Sequence, residues 1–279
     1  MSILQAIVLG LVQGATEFAP VSSSGHLILV PWMFGWTVIG DSDLQKSFDV
    51  ALHLGTLLGA LIYFRHDVAR YLRAWLRSIA ARQMTTPDER IAWALVIGTI
   101  PGAIVGALFE DLIQGKLGAP WLIAVMLVSF GIPLVIVDRL ARSNRTFDSI
   151  GPKDGLLLGT AQALALQPGV SRSGVTMTAA RAMGLDRESA ARFSFLLSLP
   201  IIAGAGAYKA VDLAQSGFQG YAAEFVAGMV ASAVSGFVVI WGLLRYLKRH
   251  DFMVFLWYRV GVAAVVAILI LTNVRSATI

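Results

Sequence analysis

The sequence predicts an all-α integral membrane protein built as two inverted-topology repeats, each a re-entrant helical hairpin followed by three transmembrane helices. Three observations carry this. Of the 279 residues, 57% are hydrophobic and only 14% charged, and mean hydropathy is +0.72, far from the usual soluble domain. The connections between apolar segments alternate between basic and nearly uncharged. Finally, a shift of 149 residues places Gly10 on Gly159, Gln13 on Gln162, Val21 on Val170, Ser22 on Ser171, Ser24 on Ser173 and Gly25 on Gly174.

Residues 1–34 hold two apolar pieces, 1–16 and 23–34, broken by Ala19-Pro20-Val21-Ser22-Ser23-Ser24-Gly25. Neither reaches the roughly 20 residues needed to cross a bilayer, so a re-entrant hairpin is expected. Spans are expected at 47–64, 91–109 and 119–138. Residues 153–183 repeat the broken pattern, with pieces at 153–166 and 172–183, the second closed by Gly184 as a C-cap. Further spans follow at 190–210, 222–245 and 253–272. The chain 1–279 is thus expected to be one polytopic domain, with repeat one at 1–138 and repeat two at 153–272. A weaker echo agrees, Phe48, Gly59 and Tyr63 falling on Phe193, Gly204 and Tyr208 at a shift of 145.

Charge orients this scheme. Segment 65–90 carries Arg65, Arg70, Arg73, Arg77, Arg82 and Arg90; segment 139–153 carries Arg139, Arg142, Arg145 and Lys153; the 245–251 turn carries Arg245, Lys248 and Arg249. By contrast 35–47 has only Lys46, 110–118 only Lys116, and 211–221 no basic residue. The positive-inside rule puts the first group in the cytoplasm, and the Arg-rich 65–90 segment against lipid headgroups. Both termini then lie outside. The first hairpin enters from outside and the second from inside, because three spans invert the second copy, as in broken-helix repeat architectures. The net charge of +5 sits in these connections, which argues for topology rather than nucleic-acid binding. There is no cysteine, so disulfides and thiolate metal sites are excluded. The first apolar stretch has no basic leader, and no cleavable signal peptide is expected.

The polar breaks carry the chemistry. Ser22 and Ser171 are placed as N-caps of the second half-helices, whose N–H-rich ends would point at mid-protein. Two such ends plus Arg172 make an anion site suited to phosphate, with Ser22, Ser24, Gly25, Ser171, Ser173 and Gly174 as its binding residues. The two copies differ where the first has Glu17, Ser23 and His26 and the second Leu166, Arg172 and Val175. Ionisable residues at membrane depth are costly and point to function. The plainer reading of Glu17 is a structural ion pair with Arg172, and that of His26 a hydrogen-bonded packing group. Ser23 and His26, three apart, suit a nucleophile with a general base. Gln13, one turn before Glu17, could join it in holding Mg²⁺ or Ca²⁺ through oxygen ligands. Gln162 reads equally well as inter-helix glue. Asp49 and His53, four apart, suit either an outer supporting pair or a helix-start Asp beside a packing His.

Residues 13–26, Gln-Gly-Ala-Thr-Glu-Phe-Ala-Pro-Val-Ser-Ser-Ser-Gly-His, and 168–174, Pro-Gly-Val-Ser-Arg-Ser-Gly, resemble the two signature motifs of the undecaprenyl-diphosphate phosphatase (bacitracin-resistance protein) family. Residues 48–56, Phe-Asp-Val-Ala-Leu-His-Leu-Gly-Thr, resemble its third recognisable stretch. The resemblance implies an enzyme of the bacterial cytoplasmic membrane that removes the terminal phosphate of undecaprenyl diphosphate and so recycles the carrier lipid for peptidoglycan synthesis. It implies Glu17, Ser23, His26 and Arg172 as catalytic residues, with Gln13 and Glu17 matching an element tied to divalent cations. Many members have Glu where this chain has Gln13, which weakens a two-carboxylate clamp. The implied partners are a polyprenyl diphosphate lipid and the surrounding bilayer, with no nucleic acid; a homo-oligomer is compatible with the sequence. Either Ser23 or His26 could be the nucleophile. The alternative from another class is a transporter or flippase of a phosphorylated polyprenyl lipid, which would need the anion site but no nucleophile.

Overall fold

The first helix begins where its capping box forms: Gln5 N–H donates to Ser2 Oγ (3.2 Å) and Ser2 N–H to Gln5 Oε1 (2.8 Å). In the computed structural model, which describes residues 1–36, 39–40 and 42–278, with residues 42, 109–116 and 209–216 described in backbone only, eleven α-helices follow one another. They are α1 (Ile3–Phe18), α2 (Ser23–Phe34), α3 (Ser42–Tyr63), α4 (Arg65–Ala81), α5 (Pro87–Lys116), α6 (Pro120–Leu140), α7 (Pro152–Ala163), α8 (Arg172–Ala182), α9 (Arg187–Ser216), α10 (Ala222–Leu247) and α11 (Met253–Leu271). No strand occurs among the described residues.

Each apolar piece read from the sequence is a helix, and α1–α2 and α7–α8 are the two broken pairs. α1 stops at Ala19, which is driven to extended backbone (ψ 142°) by Pro20. α8 ends in a Schellman motif: Gly184 takes φ +85°, its N–H bonds the Arg181 carbonyl, and Leu185 N–H bonds that of Ala180. Pieces 153–166 and 172–183 need a small correction. Helix α7 ends at Ala163 and a 3₁₀ turn, Leu164–Leu166, completes the first piece.

Among the described residues, five helices are long and apolar enough to cross a membrane, namely α5, α6, α9, α10 and α11; α3 passes only together with α4. Gln45, Lys46, Asp49 and His53 make the first half of α3 polar, and the helix does not pass by itself. The basic segment after it is a helix the sequence did not announce as one. α4 leaves α3 at 83° and buries Tyr71, Ala74 and Ser78, while Leu72, Leu76 and Ile79 stay exposed beside Arg73 and Arg77. Apolar and basic faces at such an angle suit the bilayer interface. Arg70 Nε to Asp88 (2.7 Å) and Trp93 Nε1 to Ser78 Oγ (2.8 Å) hold α4 to α5. The side chain of Lys116, the basic residue of the 110–118 connection, and residues 37, 38 and 41 of the 35–47 connection lie outside what is described.

The broken pairs are clamped by small residues. α1 lies on α10 and α7 on α5. A Cβ on Gly10 would stand 2.3 Å from Gly228 O, and one on Gly159 would stand 2.1 Å from Gly98 O. Gly14 and Gly155 make the same backbone approach to α10 and α5. At the far end of α8, buried Asp138 of α6 receives Arg181 Nε (2.7 Å) and Arg187 Nε (2.9 Å), joining α6, α8 and α9.

Candidate active site

The tips of the two broken pairs share one backbone geometry. Ser22 and Ser171, the N-caps of α2 and α8, have φ +75° and +77°, rare for a residue with a side chain. Such a conformation costs about 1–3 kcal/mol and persists only where its surroundings enforce it. Each serine Oγ accepts the N–H three residues on, from Gly25 (3.4 Å) and Gly174 (3.1 Å). The tips also hold each other. Gly169 N–H donates to Ser22 Oγ (2.9 Å) and Ser173 Oγ to the Ala19 carbonyl (2.9 Å).

Behind both tips stands Arg259, fully buried in the middle of α11. It donates to the carbonyls of Pro20 (2.6 Å) and Val170 (3.3 Å), one in each tip, and to Leu127 of α6 (3.2 Å). No carboxylate is among these partners. Gly174 makes room for it, since a Cβ there would lie 2.6 Å from Nη2.

In front of the tips is a cavity of about 300 Å³. Glu17 is its centre. Oε2 accepts from Ser23 Oγ (2.5 Å) and Gln13 Nε2 (2.9 Å), and lies 3.5 Å from His53 Nε2. Oε1 pairs with Arg172 Nη2. The structure thus brings Glu17, Ser23 and Arg172 together, with Ser22, Ser24 and Ser171 also in the wall. The α2 and α8 N-termini, rich in unpaired N–H groups, begin at Ser23 and Arg172 in this same wall. Gln162 and Leu166 line the opposite repeat's share of it, and Ile201, Ile202 and Ala205 of α9 add apolar surface.

Three expected placements are corrected. His26 does not pair with Ser23. Its Nδ1 bonds the Ser22 carbonyl (2.7 Å), so Nδ1 carries the proton, and Nε2 faces the Tyr258 hydroxyl (2.9 Å). Ser23 and His26 are three positions apart on α2, but the ring is drawn back towards α11, and the imidazole lining the cavity is that of His53. Gly25, Ser173 and Gly174 likewise sit behind the wall, where Gly25 packs near Ile123 and Ser173 is spent on Ala19. Gln13 is fully buried and donates to Glu17, leaving its Oε1 without a partner.

Among the described residues, no group of three or more His, Asp or Glu is placed to hold a metal ion. Glu17 and the orphaned Gln13 Oε1 are oxygens of the kind Mg²⁺ or Ca²⁺ takes, but Gln13 does not line the cavity and both Glu17 oxygens are already engaged.

Relatives decide the family. The sequence profile described as "Bacitracin resistance protein BacA" matches residues 6–265. The chain belongs to the BacA family. It is 46% identical to the protein named undecaprenyl-diphosphatase of Moorella thermoacetica, covering 95% of this chain and 97% of that one. To the proteins of the same name from Pelotomaculum thermopropionicum and Desulforudis audaxviator it is 44% and 45% identical, over 99% and 97% of this chain and 99% of each relative.

In this BacA family member, two groups at the site escape a motif-led reading. Arg259 carried a signal, a lone arginine inside an apolar span, which is expensive unless it has work to do. His53 was visible as an imidazole beside Asp49, but only the fold shows that α3 delivers it to Glu17.

Proposed function

We infer that the protein is an undecaprenyl-diphosphate phosphatase, a membrane hydrolase that releases the terminal phosphate of the carrier lipid. The observation that carries this is Ser23 Oγ donating to Glu17 Oε2 at 2.5 Å while Arg172 pairs with the same carboxylate, in a wall formed by two helix N-termini. The curated relatives' names agree with it.

Arg172 and the N–H groups of both tips bind the diphosphate and neutralise charge as it develops on the transferred phosphoryl group. Only one Arg172 nitrogen is spent on Glu17, and the rest of its fork remains for phosphate oxygens. Ser23 Oγ attacks the terminal phosphorus as its proton passes to Glu17, and the bond to the bridging oxygen breaks, releasing undecaprenyl phosphate. Water then attacks the phosphoserine, giving inorganic phosphate and restoring Ser23. His53 Nδ1 bonds the Asp49 carbonyl (2.8 Å), leaving Nε2 facing Glu17 to take the proton onward. This favours Ser23 over His26 as nucleophile, because both His26 nitrogens are engaged away from the cavity. A divalent cation, bound through Glu17 and the lipid's phosphate oxygens, would supply further charge neutralisation.

The same proposal places the chain in the bacterial cytoplasmic membrane, both termini outside, with the cavity facing the outer side. It treats the halves as inverted copies. Supporting this are the matched serine φ values, the paired Gly10–Gly228 and Gly159–Gly98 contacts, and the packing of α1 on α10 as α7 on α5.

The test is phosphate release from undecaprenyl diphosphate by purified protein in detergent, with and without EDTA. Release that stops in Ser23→Ala and Arg172→Ala supports the assignment. Folded wild type that binds the lipid and releases nothing defeats it. Loss of release with EDTA, restored by Mg²⁺ or Ca²⁺, is the expected metal result.

A further inference from the structure

Gln162 is only 3% exposed, yet it lines the cavity that holds Glu17, Ser23 and Arg172. Neither Oε1 nor Nε2 of its amide has a hydrogen-bond partner. Buried amides are almost always matched, so one left unmatched at both ends in the wall of a cavity that holds Glu17, Ser23 and Arg172 calls for a physical account. The other repeat supplies it. Gln13, 149 residues earlier, is equally buried, but its Nε2 donates to Glu17 at 2.9 Å. Where repeat one has Glu17, repeat two has Leu166, and Leu166 also lines the cavity. The second copy has kept the amide and lost its carboxylate.

Inter-helix glue would require a partner on a neighbouring helix, and the amide makes no such bond. Opposite it, Gly102 of α5 leaves space: a Cβ there would stand 3.4 Å from Gln162 Nε2. Among the described residues, the one carboxylate lining the cavity, Glu17, is already engaged by Arg172, Ser23 and Gln13. What can satisfy the amide is a ligand rich in acceptors.

We propose that Gln162 is a substrate-binding residue whose Nε2–H group donates to a phosphoryl oxygen of the lipid diphosphate in the cavity that Ser23 also lines. This rests on the phosphatase assignment for the identity of the ligand. A neutral donor holds the phosphate without adding a second fixed cation, which would also slow release of the phosphate product.

The experiment is a thermal-shift titration of the full-length protein in detergent with inorganic diphosphate, comparing wild type, Gln162→Leu and Gln162→Met. Removing a hydrogen bond to a charged ligand should weaken the diphosphate Kd about tenfold in both variants. The Tm without diphosphate should hold or rise, because an unmatched polar group has been replaced by an apolar one. An unchanged Kd in either variant, no shift with wild type, or a ligand-free Tm lowered in both variants would overturn the proposal, the last assigning Gln162 to packing. Phosphate release from undecaprenyl diphosphate is measured alongside. Wild type that binds inorganic diphosphate but releases no phosphate defeats the phosphatase assignment, while Kd still judges Gln162.

Discussion

Tyr258 stacks on His26 with ring centroids 5.6 Å apart and sets its hydroxyl 2.9 Å from Nε2. With Nδ1 on the Ser22 carbonyl, the imidazole is tied at both nitrogens and braces the strained cap of α2 from behind. His53, with Nε2 facing Glu17, is the imidazole that lines the cavity, and the proposed mechanism gives it the proton. His53→Asn is therefore expected to lower kcat for phosphate release by about 10²-fold, the scale of a lost general acid–base group. Tyr258→Phe, which removes one hydrogen bond from a positioning residue, should lower it by less than about tenfold. The opposite order, measured at saturating lipid, would return His26 to the chemistry.

Glu17 and Arg172 also predict a pattern of stability. Their side chains are 3% and 18% exposed, so breaking the pair leaves Glu17 as the more deeply stranded charge. Arg172→Gln should destabilise by about 3–5 kcal/mol, the cost of an uncompensated buried charge. Glu17→Gln should cost less, because Arg172 can turn towards solvent. The double variant should be more stable than Arg172→Gln alone, as read from denaturation in detergent; strict additivity of the two losses would mean that the pair is not coupled.

Arg259 is expected to behave as the clamp of both tips. Arg259→Met orphans the Pro20 and Val170 carbonyls, at about 1–3 kcal/mol for each left unsatisfied, and takes a second donor from the Leu127 carbonyl inside α6. Activity should fall with the loosening of Ser22 and Ser171, while helix content by circular dichroism stays near wild type. Arg259→Lys can reach fewer acceptors and should recover part of the loss. Full activity in Arg259→Met would show that the tips hold their geometry without it.

Much of this was legible in the sequence for a physical reason. Helices in a bilayer must satisfy their own backbone, so length and apolarity mark them, and α5, α6, α9, α10 and α11 fall where composition puts them. The two matched tips were legible because Ser22 and Ser171 recur in register. What hid was whatever depends on rotation and direction. Ser23 and His26 are three apart and would share a helix face, yet Tyr258, 232 residues away, draws the ring off. Helix α4 hid because its buried, exposed apolar and basic faces average to a merely basic segment. Gln162 hid because an amide without a partner is a property of the packed molecule alone.

The glycine contacts give the last prediction, and they separate sequence echo from structural repeat. A methyl group at Gly10 would meet Gly228 O at 2.3 Å and at Gly159 would meet Gly98 O at 2.1 Å, and in both cases the obstacle is backbone that cannot swing aside. Gly10→Ala and Gly159→Ala should each force α1 off α10 or α7 off α5, at about 1–3 kcal/mol, and should do so to a similar extent. The weaker echo of Gly59 in Gly204 behaves otherwise. A Cβ at Gly59 would stand 2.3 Å from the Ala233 carbonyl oxygen, whereas one at Gly204 would meet nothing within 4 Å. Gly59→Ala should therefore destabilise, while Gly204→Ala, relieved of glycine's low helix propensity, should be neutral or stabilising by up to about 1 kcal/mol. Thermal denaturation of the four variants in one detergent checks all of this. A neutral Gly159→Ala beside a damaging Gly10→Ala would break the equivalence of the halves at the very contact that supports it.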